Sequence, residues 1–143
     1  MGTSALTGYR IFRTLGALLL LSTGPAWAQV DVATTLGGRW EGTTEVMSPR
    51  FPSTRVLVIR NLRQEAAGAD AVKWKADGAY GITADRMARV DVAVTVAGST
   101  VTVEFVTPEA LHVTLKLVKA NVLEGTHVTT GGQARRMHLE RRE

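Results

Sequence analysis

From residue 38 onward, apolar and polar side chains take turns along the chain. Val72, Trp74 and Ala76 alternate with Lys73, Lys75 and Asp77, and Val90, Val92, Val94 and Val96 alternate with Asp91, Ala93 and Thr95. The pattern returns in Val101, Val103 and Phe105, and again in Leu111, Val113, Leu115 and Leu117. Successive side chains of an extended strand point to opposite faces, so each set describes one oily face and one wet face. Helical spacing, with apolar residues three and four apart, is not sustained past residue 28. Gln64 to Ala71 is rich in alanine, but Gly68 interrupts it and no large apolar residue anchors it, so it reads as a loop.

Weaker strand patterns fill the remainder. They run over Trp40 to Met47, over Arg55 to Leu62, and at the end over Val122 to Thr129 and Arg135 to Arg142. Within the second, Val56-Leu57-Val58-Ile59 is apolar on both parities. The separators are turn chemistry: Ser48-Pro49, Phe51-Pro52, Gly68, Gly78, Gly98-Ser99, Thr107-Pro108, Asn121 and Gly131-Gly132. About eight strands with short connections either close on themselves or split into two packed sheets. Closure removes exposed edges, and the scarcity of long crossovers favours an up-and-down arrangement. The expected fold is therefore all-β, an antiparallel up-and-down eight-stranded β-barrel over residues 38–143, with 29–37 as a short linker. Its inward set is Trp40, Val46, Val72, Trp74, Val92, Val94, Val103, Phe105, Val113, Leu115, Leu123, Met137 and Leu139.

The first 28 residues read differently. Arg10 and Arg13 precede an apolar run, Leu15 to Leu21, and Ala26-Trp27-Ala28 places small residues where a signal peptidase cuts. The apolar run is far short of the roughly 20 residues that cross a bilayer. Residues 1–28 are thus expected to be a signal peptide, which makes the mature chain periplasmic or secreted and not membrane-spanning. No cysteine follows Ala28 to carry a lipid, and the two leader arginines are not adjacent.

Removing the leader changes the charge. It takes two of seventeen basic residues and none of thirteen acidic ones, so the net charge falls from +4 to +2. The remaining basic residues are scattered or paired at strand ends, as in Arg135-Arg136, with no stripe of cations and stacking aromatics. Nucleic acid is excluded on that pattern. With no cysteine anywhere, the domain has neither disulfide nor thiolate chemistry, and its stability rests on the strand ladder and one apolar core.

Candidate chemistry is sparse. Ser48, Ser53 and Ser99 lie in turn-like contexts, none in a Gly-x-Ser-x-Gly elbow. His112 and His138 take outward parity and His127 inward parity, so the three cannot meet on one metal ion. Glu41, Glu104 and Glu124 face outward as a solvated surface. No catalytic residue, metal site or cofactor is expected. His127 remains as an inward polar group: either a satisfied core histidine or a polar anchor in a ligand cavity. A ring as large as that of Trp40, set between glycines at the start of a closing sheet, fits as a stopper over the barrel floor. Gly42 then leaves room for a neighbouring strand or ring.

Gly38-Arg39-Trp40-Glu41-Gly42 resembles the Gly-x-Trp that opens lipocalin-like, or calycin, barrels. With Tyr80-Gly81-Ile82, Leu123-Glu124-Gly125-Thr126, Gly131-Gly132 and Met137-His138-Leu139, the chain resembles lipocalin-like modules of bacterial secreted proteins, some of which precede an α/β-hydrolase domain. The resemblance implies that Trp40 plugs one barrel end, with a basic residue of the last strand packed across it. It departs from the pattern at His127, where a second aromatic is usual, and no hydrolase domain follows, so no activity of a fused partner carries over.

These readings lead to a non-enzymatic binding module that holds a small apolar or amphipathic molecule in a shallow barrel mouth. The expected ligand contacts are Trp74, Tyr80, Phe105 and His127. The alternative is a protein–protein interaction module, an inhibitor or accessory of another exported protein. The doubly apolar Val56 to Ile59 and the outward Val106, Val118 and Val128 motivate it.

Overall fold

The computed structural model describes residues 31–143, so the expected signal peptide and its cleavage point lie outside the described residues. The alternation resolves into eight strands: β1 (Gly38–Thr44), β2 (Thr54–Ala67), β3 (Val72–Thr83), β4 (Arg86–Ala97), β5 (Thr100–Val106), β6 (His112–Lys119), β7 (Val122–Val128) and β8 (Ala134–Arg142). Each pairs antiparallel with its neighbour in sequence, and β1 returns to β8 to close the barrel. The up-and-down order expected from the short connections is thus the order observed.

Parity sets the core. Val90, Val92, Val94 and Val96 of β4 are buried, as are Val101, Val103 and Phe105 of β5, while the residues between them face water or the wall surface. Leu57, Ile59, Leu115, Leu123 and Leu139 complete an interior filled by side chains across the barrel's middle. That filling is what an eight-stranded barrel has room for. Val56 and Val58 take the outer parity of β2, yet they too are buried, flanked in register by Glu41 and Gly81 and by Arg39 and Ala79.

Closure needs close backbone approach at particular points. A Cβ on Gly42 would lie 1.8 Å from the His138 carbonyl oxygen, and one on Gly125 would lie 1.9 Å from that of Thr114. Only glycine lets β1 reach β8 and β7 reach β6 this closely, which is how a sheet turns a tight corner.

Four local expectations change, the first at Gly78, which lies inside β3 in register with Ile59 and Val90 and separates no strands. The 64–71 segment is not all loop: β2 runs on to Ala67, leaving Gly68 to Ala71 as the turn. A bulge at Asn61, whose φ of 55° suits asparagine, lets the strand continue past the barrel wall, and Asn61 Nδ2 donates to Asp77 Oδ2 at 3.0 Å. Val46 lies beyond the end of β1 and is only half-buried, because the strand stops at Thr44. The linker contains one helical turn, α1 (Val32–Leu36), whose Asp31 side chain caps it by accepting from the Ala33 N–H at 3.1 Å and from the Thr34 hydroxyl at 2.7 Å.

Candidate functional site

The two barrel ends differ in kind. At the end where β1 begins, α1 folds under the barrel with Leu36 fully buried, and the Trp40 ring lies above it without exposure. Trp40 Nε1 donates to the Leu36 carbonyl at 3.0 Å. Arg141, the register partner of Trp40 on β8, donates to the Thr34 and Thr35 carbonyls at 2.7 Å and to the Gly37 carbonyl at 2.6 Å. Carbonyls left open at the helix C-terminus are all taken up by these two side chains. This end is sealed.

The opposite end is open. It is where β1, β3, β5 and β7 finish, so it gathers Thr44, Tyr80, Thr107 and His127. A cavity of about 380 Å³ lies there, lined by Arg55, Tyr80 to Ile82, Arg86 to Ala88, Thr107 to Glu109, Leu111, Val113 and His127. That volume is at the small end of the roughly 300–1,000 Å³ typical of small-molecule sites. Its floor is the filled interior beginning at Val113, so the mouth is shallow. The hairpin between β5 and β6 shapes one rim: Thr107 Oγ1 accepts from the Leu111 N–H at 3.1 Å, and Ala110 adopts a φ of 62°.

Tyr80 and Phe105 meet with ring centroids 5.0 Å apart and planes inclined at 57°. Phe105 backs the Tyr80 ring from the buried side and is not part of the cavity wall. Burial pushes the Tyr80 phenol above its ordinary value, against the opposing pull of the Arg55 guanidinium beside it. The phenol therefore stays protonated and available as a donor.

His127 points inward as its parity requires and is buried among β6, β7 and β8. Its Nδ1 lies 3.0 Å from Thr44 Oγ1, and that hydroxyl also lies 3.0 Å from the Arg136 carbonyl oxygen. A carbonyl cannot donate, so the single hydroxyl hydrogen of Thr44 goes to Arg136, and Nδ1–H of His127 donates to Thr44. The tautomer is thereby fixed, and Nε2 is the nitrogen left to accept. Burial lowers the His127 pKa, and the charges of Arg55 and Arg135 lower it further, keeping the ring neutral.

Of the ligand contacts expected from sequence, Tyr80 and His127 come together in the mouth. Trp74 does not: it sits at the start of β3, toward the sealed end, half-buried against the core and paired in register with Gln64 and Val94. Sequence reasoning missed Arg55, Arg86 and Leu111 on the cavity wall and Thr44 behind His127. Arg55 shares parity with Leu57 and Ile59, the signal that could have placed it inside. Larger hollows exist on the outer wall, including one of about 650 Å³ bordered by Thr43, Glu45, Lys116, Glu124, Arg136 and His138. They lie along the outer wall and do not open into the mouth. Among the described residues no group of three or more histidine or acidic side chains is placed to hold a metal ion, and no helix is long and apolar enough to cross a membrane.

No family model matches the chain, and no curated protein matches it. Among solved structures it is similar to a redesigned β-barrel, at 19% sequence identity and a TM-score of 0.46, over 78% of this chain and 95% of that one.

Proposed function

We propose that this chain is a non-enzymatic, lipocalin-like binding module, exported to the periplasm or beyond, which holds a small apolar or amphipathic molecule in the open barrel mouth. One observation carries the reading: a cavity of about 380 Å³ sits at the unsealed end, walled by inward side chains over a filled interior. The wall has the mixture such sites use, apolar Ala88, Leu111 and Val113 with a few polar groups at fixed positions. The sealed end supports the lipocalin-like part of the reading, since Arg141 on the last strand lies across Trp40 as the resemblance implies. Export rests on the pattern of residues 1–28.

A fluorescent naphthalene-sulfonate probe tests this. Saturable enhancement is expected with the wild-type chain and a loss of it when Tyr80→Ala opens the mouth. A linear, non-saturating response, or one insensitive to Tyr80, contradicts the reading.

A second reading, docking of a protein partner, draws on Val106 and Val128, which are exposed on either side of His112 on the outer wall. Its other basis weakens, because Val56 and Val58 are buried locally. Substituting Val106 and Val128 with serine, without effect on partner capture, would remove it.

A further inference from the structure

We infer that the molecule held in the mouth is an anionic amphiphile, its charged head at the rim among Arg55, Arg86 and Arg135 and its apolar tail below, against Ala88 and Val113. This rests on the binding reading of the mouth and adds the charge and orientation of the ligand.

Charge gathers at the rim of the open end, where β2, β4 and β8 begin. On the contiguous strands β7, β8, β1 and β2 the inward residues at the open end are His127, Arg135, Thr44 and Arg55. On β3 to β6 and their turns the wall includes Tyr80, Arg86, Ala88, Glu109, Leu111 and Val113, and Arg86 shares the inward parity of Ala88 and Val90. Arg55, Arg86 and Arg135 thus stand at the rim, each one step above an inward apolar residue of its own strand: Leu57, Ala88 and Met137. That arrangement orients a molecule with one charged end.

The arginines of this rim lack the carboxylates that arginines find elsewhere. On the outer wall Arg39 and Arg142 pair with Glu41, Arg63 and Arg89 with Asp77, and Arg136 with Glu45. Among the described residues neither Arg55, Arg86 nor Arg135 has such a partner. Arg55 spends Nη1 on the Pro52 and Thr54 carbonyls, at 2.6 and 2.7 Å, and Arg135 reaches Gln133 Oε1 with Nη2 at 3.0 Å. These contacts fix the guanidiniums without neutralising them. Arg135 Nε is the one buried side-chain polar atom among the described residues without a hydrogen-bond partner. Arg135 shares the inward parity of Met137 and Leu139 and is the register partner of His127. A buried donor without an acceptor is destabilising and rare, and it marks a place where an acceptor belongs.

Glu109 is the one carboxylate on the cavity wall, set against Arg55 and Arg86 there, with Arg135 next to His127 on the neighbouring strand. The excess of positive charge is felt locally, since Arg55 and Arg135 each oppose protonation of His127 more strongly than Glu45 favours it. A planar guanidinium fork matches a carboxylate, sulfate or phosphate head better than any neutral group.

Calorimetric titration of the full chain with decanoate, decan-1-ol and decylammonium tests this, because the three share a tail and differ in head. Decanoate is expected to bind at least about tenfold more tightly than decan-1-ol, with decylammonium the weakest. Arg135→Gln and Arg55→Gln should each weaken decanoate about tenfold and leave decan-1-ol unchanged. Should either variant fail to fold, raising the salt concentration on the wild-type chain is expected to weaken decanoate alone. Equal binding of decanoate and decan-1-ol overturns the charge inference while leaving the binding site standing. Binding of none of the three overturns the site itself.

Discussion

Arg141 and Trp40 face each other across the β1–β8 seam and divide between them the open carbonyls of a single helical turn. The indole takes Leu36, and the guanidinium takes Thr34, Thr35 and Gly37. Five residues cannot hold a helix by propensity alone. The turn stands because the barrel supplies its C-terminal partners, and in return it seals the floor.

The first prediction follows from that exchange. Trp40→Ala should cost about 3–5 kcal/mol from lost packing. Trp40→Phe keeps much of the ring but leaves the Leu36 carbonyl without a donor, at about 1–3 kcal/mol. Arg141→Gln should cost a similar amount as Trp40→Phe. Because both act through α1, the double variant should cost less than the two singles combined. Urea unfolding of the four proteins measures the coupling, and strict additivity would separate the two side chains.

Two glycines should respond very differently to alanine. At Gly42 the added carbon meets the His138 carbonyl, so β1 and β8 must part, and a loss above about 3 kcal/mol is expected. At Gly98 nothing lies within 4 Å, and the cost is that of a left-handed φ of 60°, about 1–2 kcal/mol. Thermal unfolding monitored by circular dichroism ranks them, and a Gly98 variant less stable than the Gly42 variant would contradict the account of closure.

Two histidines should give the stability curve opposite slopes on either side of pH 6.5. Hydrogen bonds from His138 to Glu140 and Glu124, at 3.2 and 2.9 Å, raise its pKa above the ordinary 6.5. Its contribution is whole below 6.5 and is lost as pH rises through the folded value. Burial depresses the His127 pKa, so its contribution is whole above 6.5 and is lost as pH falls through its folded value. His138→Gln should flatten the alkaline limb and His127→Gln the acid limb, read by chemical denaturation across the range. A curve that neither substitution alters would refute both assignments. Since His138 is largely exposed, its limb should be the shallower one in salt.

The barrel was legible because its signal is redundant: a two-residue period repeats in strand after strand, and one error of register would turn every valine of β4 toward water. The single turn of α1 was not, since five residues show no period; only Asp31 with Thr34 hints at a cap. Parity reports inside against outside but not which end. Combined with up-and-down order it does more, because odd strands start at one end. Trp74, early in β3, belongs with Trp40, and Tyr80, late in β3, belongs at the mouth. Arg55 and Arg135 escaped notice because a charge at a strand end normally marks solvent. Here both take the inward parity of neighbouring leucines, Leu57 and Leu139, at the open end.

The central claim is that a ligand enters at the mouth and not along the wall or beneath the plug. Titrating decanoate into the isotopically labelled chain and following backbone amide shifts by NMR tests it most directly. Changes should saturate and concentrate at Tyr80 to Ile82, Met87, Leu111, His127 and Arg135, with Leu36, Trp40 and Arg141 unmoved. Shifts centred on the sealed end or the outer wall, or none at all, would contradict it.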